Sequence, residues 1–389
     1  MSRPPPLKPI RSVEKNSRNN SFASGTHFLA EDNQRLSELS PLPWNDYFRT
    51  RTLVLPENCK DETSSLYTSH RAASSFKQPL LMLFHGGGYS ALSFGLLVKY
   101  LVQKLPNPES LSVLAFDARG HGETDVENEQ NLSAEQQVQD ALDLLKSIFG
   151  KLDSDLPPIV LAGHSMGGAI AVRVGASGQI PTLCGLIVID VVEGTAMASL
   201  PHMQTVLMKR PKSFSSVEKA ILYSLETGQT KSRESCRLSL PSQLRWNEDE
   251  KCYSWRTNLE ESECYWKSWF ENLSPTFLKI AVPKLLILAG QDRLDKPLTI
   301  AQMQGQFQLS VVRDSGHDLH EDQPEVILVS QLMIVSYKAL YSTQSITVAS
   351  ICNRFNNDLS SLFIKNQLLA NLFRASLSFA NQKRQCALR

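Results

Sequence analysis

The sequence predicts an α/β fold with a mostly parallel central sheet and helices on both faces. Short apolar runs recur along the chain, as is typical of central strands covered on both sides. Helical patterns separate these runs, and such an alternation builds a parallel sheet. The 389 residues are enough to bury a large core. The predicted strands are Leu80–Phe84, Leu111–Phe116, Ile159–Ala162, Leu186–Ile189, Lys284–Ala289 and Phe307–Val312.

Helical patterns fill the intervals between these strands. Ser133 and Gln136, three positions apart, form the pattern of a capping box, which predicts the start of the longest helix. The predicted helices are Phe94–Leu105, Ser133–Phe149, Met166–Val174 and a last one from Pro324.

The alternation is interrupted between about Gly194 and Pro283, where Ser, Lys, Glu, Trp and Tyr are frequent. We interpret this stretch, about residues 195–282, as a cap over the C-terminal edge of the sheet, where open parallel sheets bind ligands. Residues 1–42 are rich in Pro, Ser and Asn, and we expect a disordered tail there. The predicted domain therefore covers residues 43–341, and residues 342–389 form a C-terminal extension.

Charge and cysteine content narrow the class of protein. The 40 basic and 39 acidic side chains leave a formal net charge of +1, so we expect neither nucleic acid nor a membrane as partner. No apolar run approaches the length of a membrane-spanning helix. The seven scattered cysteines lack C-x-x-C spacing, which favours reduced thiols. We therefore expect a cytoplasmic protein, with the nucleus as a second compartment.

A nucleophile motif follows the predicted strand Ile159–Ala162. Gly163-His164-Ser165-Met166-Gly167 matches G-x-S-x-G, in which a sharp turn from strand to helix holds a serine in a strained conformation. The flanking glycines remove side chains that would clash with neighbouring backbone. The motif alone is weakly specific, but its position between a predicted strand and a predicted helix supports Ser165 as a nucleophile.

A glycine loop follows an earlier strand and supplies the second feature of this chemistry. His85-Gly86-Gly87-Gly88 comes directly after Leu80–Phe84. The tetrahedral intermediate of acyl transfer needs two backbone N–H donors, one from the residue after the nucleophile and one from such a loop. We therefore predict an oxyanion hole formed by the N–H groups of Met166 and of Gly87 or Gly88.

A serine nucleophile requires a base, and the chain order restricts the choice. Only His317 and His320 lie beyond the cap, and His317 in Ser315-Gly316-His317 follows the last predicted strand. We predict His317 as the base, and we expect His320 to orient its loop. Asp190 and Asp292 both follow predicted strands and both satisfy the order serine, acid, histidine. The residues alone leave the two acids as alternatives. The remaining aspartate is expected to anchor a loop or to pair with Arg293 or Lys296.

Other motifs point to structural roles. His85 and His164 are expected to be hydrogen-bonding neighbours of the site. Asp117-Ala118-Arg119-Gly120-His121-Gly122 is expected to hold a turn. The sequence contains no H-E-x-x-H motif, phosphate-binding loop or dinucleotide fingerprint, so we expect no metal and no cofactor.

These motifs resemble those of the protein phosphatase methylesterase family, which has the α/β-hydrolase fold. The resemblance extends from Pro41 to Asp322, whereas the sequence beyond Glu325 does not resemble the family. The segment most typical of this family is Val188-Ile189-Asp190-Val191-Val192-Glu193-Gly194-Thr195-Ala196-Met197. The other matching segments are Leu83–Gly88, Gly163–Ala169 and Leu288–Asp295.

The resemblance implies a substrate and an acid. It implies removal of the methyl ester from the C-terminal leucine of the type 2A protein phosphatase catalytic subunit, which would be the partner. It also implies that Asp190, and not Asp292, completes a triad with Ser165 and His317. Two alternatives share the scaffold, namely a general carboxylesterase acting on small esters and a non-catalytic protein that binds the phosphatase. An epoxide hydrolase is disfavoured because its elbow carries a carboxylate.

Overall fold

The structure is a computed structural model that describes residues 36–54, 64–68, 78–105 and 107–327. The chain divides into two units after Glu38, and every element below belongs to the unit that starts at Leu39. Most of the predicted tail and the whole extension at 342–389 lie outside the described residues. The helical pattern predicted from Pro324 is described only to residue 327.

Strands and helices alternate through most of the described chain. The strands are β1 (Thr50–Val54), β2 (Ser64–Thr68), β3 (Leu80–Phe84), β4 (Ser112–Phe116), β5 (Ile159–His164), β6 (Leu183–Ile189), β7 (Ser213–Phe214), β8 (Leu244–Asn247), β9 (Cys252–Trp255), β10 (Lys284–Leu288) and β11 (Gln308–Val311). The helices are α1 (Gly95–Lys104), α2 (Ala134–Phe149), α3 (Met166–Ala176), α4 (Glu193–Lys209), α5 (Val217–Thr227), α6 (Arg233–Ser239), α7 (Glu263–Phe270), α8 (Leu273–Lys279), α9 (Lys296–Met303) and α10 (Leu319–Asp322).

The central sheet has the strand order β1-β2-β4-β3-β5-β6-β10-β11. The six strands from β4 to β11 in that order pair in parallel, and the predicted strands correspond to them. The edge strands β1 and β2 pair antiparallel with each other, and β2 pairs antiparallel with β4. The parallel sheet confirms the predicted fold class, and it places the C-terminal ends of β3, β5, β6 and β10 along one edge.

Helices cover both faces of this sheet. On β3, Leu80, Met82 and Phe84 pack into the core shared with α2 and α3, whereas Leu81 and Leu83 pack into the core shared with α1. Every residue of β3 is buried, as a strand with two covered faces requires. Such burial holds the strand ends rigidly, so the loops that leave them start from defined positions.

The chain between β6 and β10 leaves the sheet and forms α4 to α8. Strands β7, β9 and β8 form a separate antiparallel sheet within this region, which we call the cap. Trp269 of α7 is buried and donates from Nε1 to the Leu132 carbonyl oxygen at 2.6 Å. Arg173 of α3 donates to the carbonyl oxygens of Ser268 at 2.6 Å and Glu271 at 2.8 Å. These bonds attach the cap to the helices of the sheet layer.

The start of α2 shows half of the predicted capping box. Ser133 Oγ accepts from the Gln136 N–H at 3.3 Å, as predicted. The Gln136 side chain instead donates to Asp140 at 2.9 Å, and Asn131 accepts from the Ser133 N–H at 3.3 Å. The reciprocal bond is absent because Asp140, one turn along the helix, offers Gln136 a charged acceptor.

None of the described helices combines the length and the apolar character that a bilayer crossing needs.

Candidate active site

Ser165 occupies a sharp turn between β5 and α3. Its backbone has φ 52° and ψ −123°, and its N–H donates to the Ile189 carbonyl oxygen at 3.0 Å. A Cβ on Gly163 would overlap the backbone of Gly167, and a Cβ on Gly167 would overlap the carbonyl oxygens at the end of β3. The turn therefore requires glycine on both sides of Ser165 and raises the serine above the C-terminal edge of the sheet.

His317 and Asp190 meet beside this turn. The Nδ1 of His317 lies 2.8 Å from Oδ2 of Asp190, whose carboxylate is buried while the imidazole is partly exposed. An Nδ1–H bond to the carboxylate leaves Nε2 as an acceptor, which is the tautomer that a general base needs. The Ser165 hydroxyl makes no hydrogen bond with any described residue, and catalytic hydrogen bonds of this kind often tighten only when substrate binds.

Asp190 is held by three further contacts at the end of β6. Its backbone has φ 53°, and its N–H donates to the Ile287 carbonyl oxygen at 2.7 Å. Its Oδ1 accepts from the Ala289 N–H at 2.9 Å, and its Oδ2 also pairs with the Arg293 guanidinium. These contacts orient the carboxylate toward the imidazole of His317.

Asp292, the alternative acid, lies elsewhere. It is exposed at a short 3-10 helix after β10, and its side chain folds back over Gly290. Its carboxyl makes no hydrogen bond or ion pair within the described part of the chain. The ion pair expected for the second aspartate, with Arg293 or Lys296, is not formed by the described residues, and Arg293 pairs with Asp190 instead. No side-chain hydrogen bond from Asp292 to a described residue anchors the loop either.

The two predicted sources of oxyanion donors lie side by side. Met166 begins α3, where the first N–H groups have no partner within the helix. A Cβ on Gly87 would lie 3.6 Å from the Met166 sulfur. The Gly88 N–H, in contrast, donates to Nε2 of His121 at 2.9 Å. Gly88 is therefore excluded as a donor, since its N–H already has a partner, and the geometry leaves Met166 and Gly87.

Two buried histidines hold the glycine loop against the loop after β4. His121, in the loop after β4, accepts from the Gly88 N–H of the glycine loop. His85, at the start of the glycine loop, accepts through Nε2 from the Ala118 N–H of the loop after β4 at 2.9 Å, so each loop donates one bond to the other. Burial lowers the pKa of His85 to about 4 and the pKa of His121 to about 3. Both rings are therefore neutral near pH 7. Their hydrogen-bonding role, and not that of a base, agrees with the sequence interpretation of His85.

The loop after β4 is a structural turn, as predicted. Asp117 Oδ1 accepts from the Ala91 N–H at 2.8 Å, and its Oδ2 accepts from the Glu123 N–H at 3.1 Å. A Cβ on Gly122 would overlap the Asp117 carboxylate. The carboxylate thus serves the backbone of two loops and does not reach the triad.

His164 holds the backbone of the base His317 through a hydrogen bond. Its Nε2–H donates to the His317 carbonyl oxygen at 2.9 Å, and the two rings lie 4.6 Å apart between centroids. Burial, followed by the neighbouring His320 and His317, lowers the pKa of His164 well below 6.5. His164 is the hydrogen-bonding neighbour that the sequence predicted.

His320 does not orient its loop through hydrogen bonds. Both ring nitrogens are buried without a hydrogen-bond partner within the described residues. The ring packs 4.3 Å from His164 and 4.9 Å from Phe94, and burial lowers its pKa to about 3. It therefore fills space as a neutral aromatic ring, which the expectation from sequence did not include.

The arrangement of these residues is that of a hydrolase using a serine, and related proteins agree. The Alpha/beta hydrolase family model matches residues 80–329. The bovine protein named protein phosphatase methylesterase 1 is 39% identical over 334 residues, which cover 75% of this chain and 85% of the bovine protein. The Caenorhabditis elegans protein named probable protein phosphatase methylesterase 1 is 43% identical over 289 residues, covering 74% of this chain and 75% of the nematode protein.

A solved structure supports the fold independently. The crystal structure of E-2-(acetamidomethylene)succinate hydrolase matches with a TM-score of 0.59 at 17% identity, covering 74% of this chain and 99% of the hydrolase. At that identity the likeness concerns the fold alone. Together with the family model and the identity to the animal proteins, it leads to one conclusion: the chain belongs to the protein phosphatase methylesterase family of α/β hydrolases.

Proposed function

We propose that this chain is a serine esterase that removes the methyl ester from the C-terminal leucine of the type 2A protein phosphatase catalytic subunit. The observation that carries the proposal is the 2.8 Å bond between His317 and the buried Asp190, beside a serine held at φ 52°. The bovine and human relatives, both named protein phosphatase methylesterase 1 and both 39% identical, support a phosphatase methyl ester as the substrate. The names of these relatives support a protein phosphatase as substrate, and the family resemblance supports its type 2A catalytic subunit.

The first half of the reaction forms an acyl-enzyme. Asp190 accepts the Nδ1–H of His317, so Nε2 takes the proton of the Ser165 hydroxyl as its oxygen attacks the ester carbonyl carbon. The carbonyl oxygen becomes an oxyanion that accepts from the N–H groups of Met166 and Gly87. His317 then gives its proton to the methoxy oxygen, and methanol leaves.

The second half releases the carboxylate. His317 removes a proton from water, the resulting hydroxide attacks the acyl carbon, and the same two N–H groups hold the second oxyanion. The proton returns to Ser165 as the ester bond to the enzyme breaks. Arg293 pairs with the same Asp190 oxygen, Oδ2, that accepts from His317, while the Ala289 N–H binds Oδ1, and these contacts hold the carboxylate in place through both halves.

The glycine loop contributes preorganisation. Its position depends on the crossed bonds of His85 and His121, both neutral, so no proton change at working pH moves it. The side chain of the cap residue Leu259 packs against Gly87 and Gly88, where a Cβ on either glycine would meet it. Donors held in place before the reaction stabilise charge without the cost of reorientation.

A substrate comparison tests the proposal. We expect the wild-type protein to release methanol from the intact methylated phosphatase subunit and to leave a free C-terminal carboxylate, detected by mass spectrometry of the C-terminal peptide. Ser165→Ala should release none, while a fluorophosphonate probe should label the wild-type protein only. Hydrolysis of a short aryl ester without hydrolysis of the phosphatase ester would establish a general carboxylesterase instead. Tight binding of the phosphatase with no hydrolysis of either ester would leave only the non-catalytic alternative.

A further inference from the structure

The loop that carries His317 is tied to the cap by carboxyl side chains. We call residues 313–323 the base loop and residues 230–239 the cap segment. Asp318 and Glu321 of the base loop are 1% and 0% exposed, and both face the cap segment. Neither carboxyl takes part in the reaction derived above, although Asp318 directly follows the base. Buried carboxyl groups are costly unless each has hydrogen-bond partners, so their contacts indicate what they do.

Asp318 joins three parts of the molecule. Its Oδ1 accepts from the Tyr89 hydroxyl at 2.6 Å, and its Oδ2 accepts from the Thr230 hydroxyl at 3.1 Å. Tyr89 directly follows the glycine loop, and Thr230 begins the cap segment. One carboxylate therefore connects the base loop, the glycine loop and the cap. The side chain of Gln229 adds a further cap contact to Tyr89.

The Tyr89 ring extends this connection toward the nucleophile. It lies edge-on to His164, with 5.6 Å between ring centroids, and His164 in turn bonds the His317 carbonyl oxygen. A displacement of Tyr89 would therefore move the glycine loop on one side and the ring beneath the base on the other. The oxyanion donor at Gly87 is two residues from Tyr89.

We propose that Asp318 is a positioning residue, which sets the base His317 relative to the oxyanion donor Gly87 through its bonds to Tyr89 and Thr230. The inference rests on the proposed function, because it concerns how that site is assembled. It follows that the seating of the cap segment affects the chemical step and not only substrate binding.

The groups around Asp318 favour strong bonds. Burial raises the pKa of Asp318 to about 6, while His317, Tyr89 and Thr230 act in the opposite direction and Asp322 adds to the rise. Asp318 is therefore mostly ionised at pH 7.5. Hydrogen bonds to an ionised acceptor are shorter and stronger than neutral ones, which fits the 2.6 Å contact with Tyr89.

Separate bonds hold the rest of the cap segment. Glu321 accepts from the Ser235 hydroxyl at 2.6 Å and from the Ser239 hydroxyl at 2.8 Å. Asp322 accepts from the N–H groups of Lys231 at 2.7 Å and Ser232 at 3.2 Å. Loss of the Thr230 hydroxyl alone therefore leaves the cap segment attached and changes only the contact with Asp318.

Two matched tyrosines separate positioning from stability. Tyr89→Phe and Tyr47→Phe each remove a hydroxyl that donates to a carboxylate, since Tyr47 donates to Glu234 of α6 at 2.8 Å. Only Tyr89 contacts the base loop. With a short aryl ester, we expect Tyr89→Phe to lower kcat by about 10-fold with KM within about 2-fold, since small misplacement of catalytic groups is costly. Tyr47→Phe should leave kcat within about 2-fold of the wild type.

A double-mutant cycle tests whether the effect passes through Asp318. Thr230→Val should lower kcat by about 3-fold in the wild type, and Thr230→Val and Tyr89→Phe should both lose most of their effect when Asp318→Asn is present. Equal kcat losses for Tyr89→Phe and Tyr47→Phe, or full additivity in the cycle, would overturn the proposal. If Asp318→Asn does not fold, the proposal is still tested by the kcat of the Tyr89 and Thr230 variants compared with that of the Tyr47 control.

The outcome is distinguishable from failure of the proposed function. A wild-type protein that hydrolyses the aryl ester and the methylated phosphatase, with an unaffected kcat in Tyr89→Phe, refutes the positioning role alone. A wild-type protein that hydrolyses neither ester refutes the proposed function, and the positioning role falls with it.

Discussion

The turn at Ser165 and the base loop both connect a strand to a helix at the C-terminal edge of the sheet, but different interactions hold them. The turn depends on glycines at positions 163 and 167 that pack against backbone within a few residues or against the end of β3. The base loop depends on side chains about 80 to 230 positions away, namely Thr230, Ser235, Ser239 and Tyr89. The nucleophile is therefore placed by local geometry, and the base by tertiary contacts.

The two aspartates give the largest effect that tests this view. Asp190→Asn should lower kcat by roughly 10⁴-fold, because an amide at that position favours the wrong tautomer of His317. Asp292→Asn should remain within about 2-fold, since its exposed carboxyl does not contact the imidazole. Steady-state hydrolysis of an aryl ester measures both, with thermal unfolding to verify folding. A larger loss in the Asp292 variant would transfer the role of acid.

Glycine substitutions compare the two connections directly. A Cβ on Gly167 would overlap the carbonyl oxygens of Phe84 and His85, so Gly167→Ala should destabilise by about 3 kcal/mol. A Cβ on Gly316, next to the base, would have no atom within 4 Å. Gly316→Ala should therefore increase the free energy of unfolding by about 0.4–1 kcal/mol, because alanine restricts the unfolded chain more than glycine does. Urea unfolding measures both changes. Similar destabilisation by both would contradict the contrast between the two regions.

Acid should destabilise the protein through buried histidines that lie near the turn at Ser165 and in the base loop. Burial lowers the pKa values of His85 to about 4 and of His121 and His320 to about 3, and it lowers that of His164 well below 6.5. Unfolding frees these rings to bind protons, so their contribution to stability is lost as pH falls below 6.5. Asp318 and Glu321, with raised pKa values, offset part of this uptake.

Near pH 5.5, these six groups together bind about two more protons in the unfolded chain than in the folded protein. The free energy of unfolding should therefore fall by about 3 kcal/mol for each unit by which the pH is lowered there. His320→Phe should remove about one proton from that slope, because the ring makes no hydrogen bond that phenylalanine would lose. The exposed His202 provides the control, and His202→Gln should leave the slope unchanged. Urea unfolding at several pH values is the measurement, and a slope unaltered in His320→Phe would count against neutral packing of that ring.

Glu321 should give the smallest change in stability per pH unit, and its sign is opposite to that of the histidines. Burial, and then the nearby Asp318, raises the pKa of Glu321 to about 8. Its contribution to stability is present below pH 4.5 and is lost as pH rises through 8. The stability of Glu321→Gln relative to wild type should therefore increase by about 1 kcal/mol per pH unit across that range. Glu325→Gln, at an exposed neighbour, should track the wild type, and parallel curves for both variants would show that Glu321 is ionised.

Features that repeat with the period of secondary structure could be predicted from the sequence. The buried strands, the helices between them, the glycine-flanked Ser165 and the glycine loop all follow from short-range patterns. Features that depend on which surfaces meet could not. Nothing near Gly88 in the sequence indicates that His121 accepts its N–H, and nothing near Asp292 indicates that Arg293 pairs with Asp190 instead.

The sequence by itself determined the α/β architecture, the position of the nucleophile and the order in which the acid and base follow it. These properties are local, because apolar periodicity defines strands and helices and a lack of Cβ atoms permits the turn at Ser165. Chain order left Asp190 and Asp292 open and the family resemblance implied Asp190, which the tertiary structure places against His317. Only the tertiary structure decided that the Gly88 N–H is occupied by His121, which leaves Gly87 as the donor among the described residues, and that Asp318 joins Tyr89 to Thr230. Those outcomes depend on the direction of side chains across the sheet edge, which chain order does not specify.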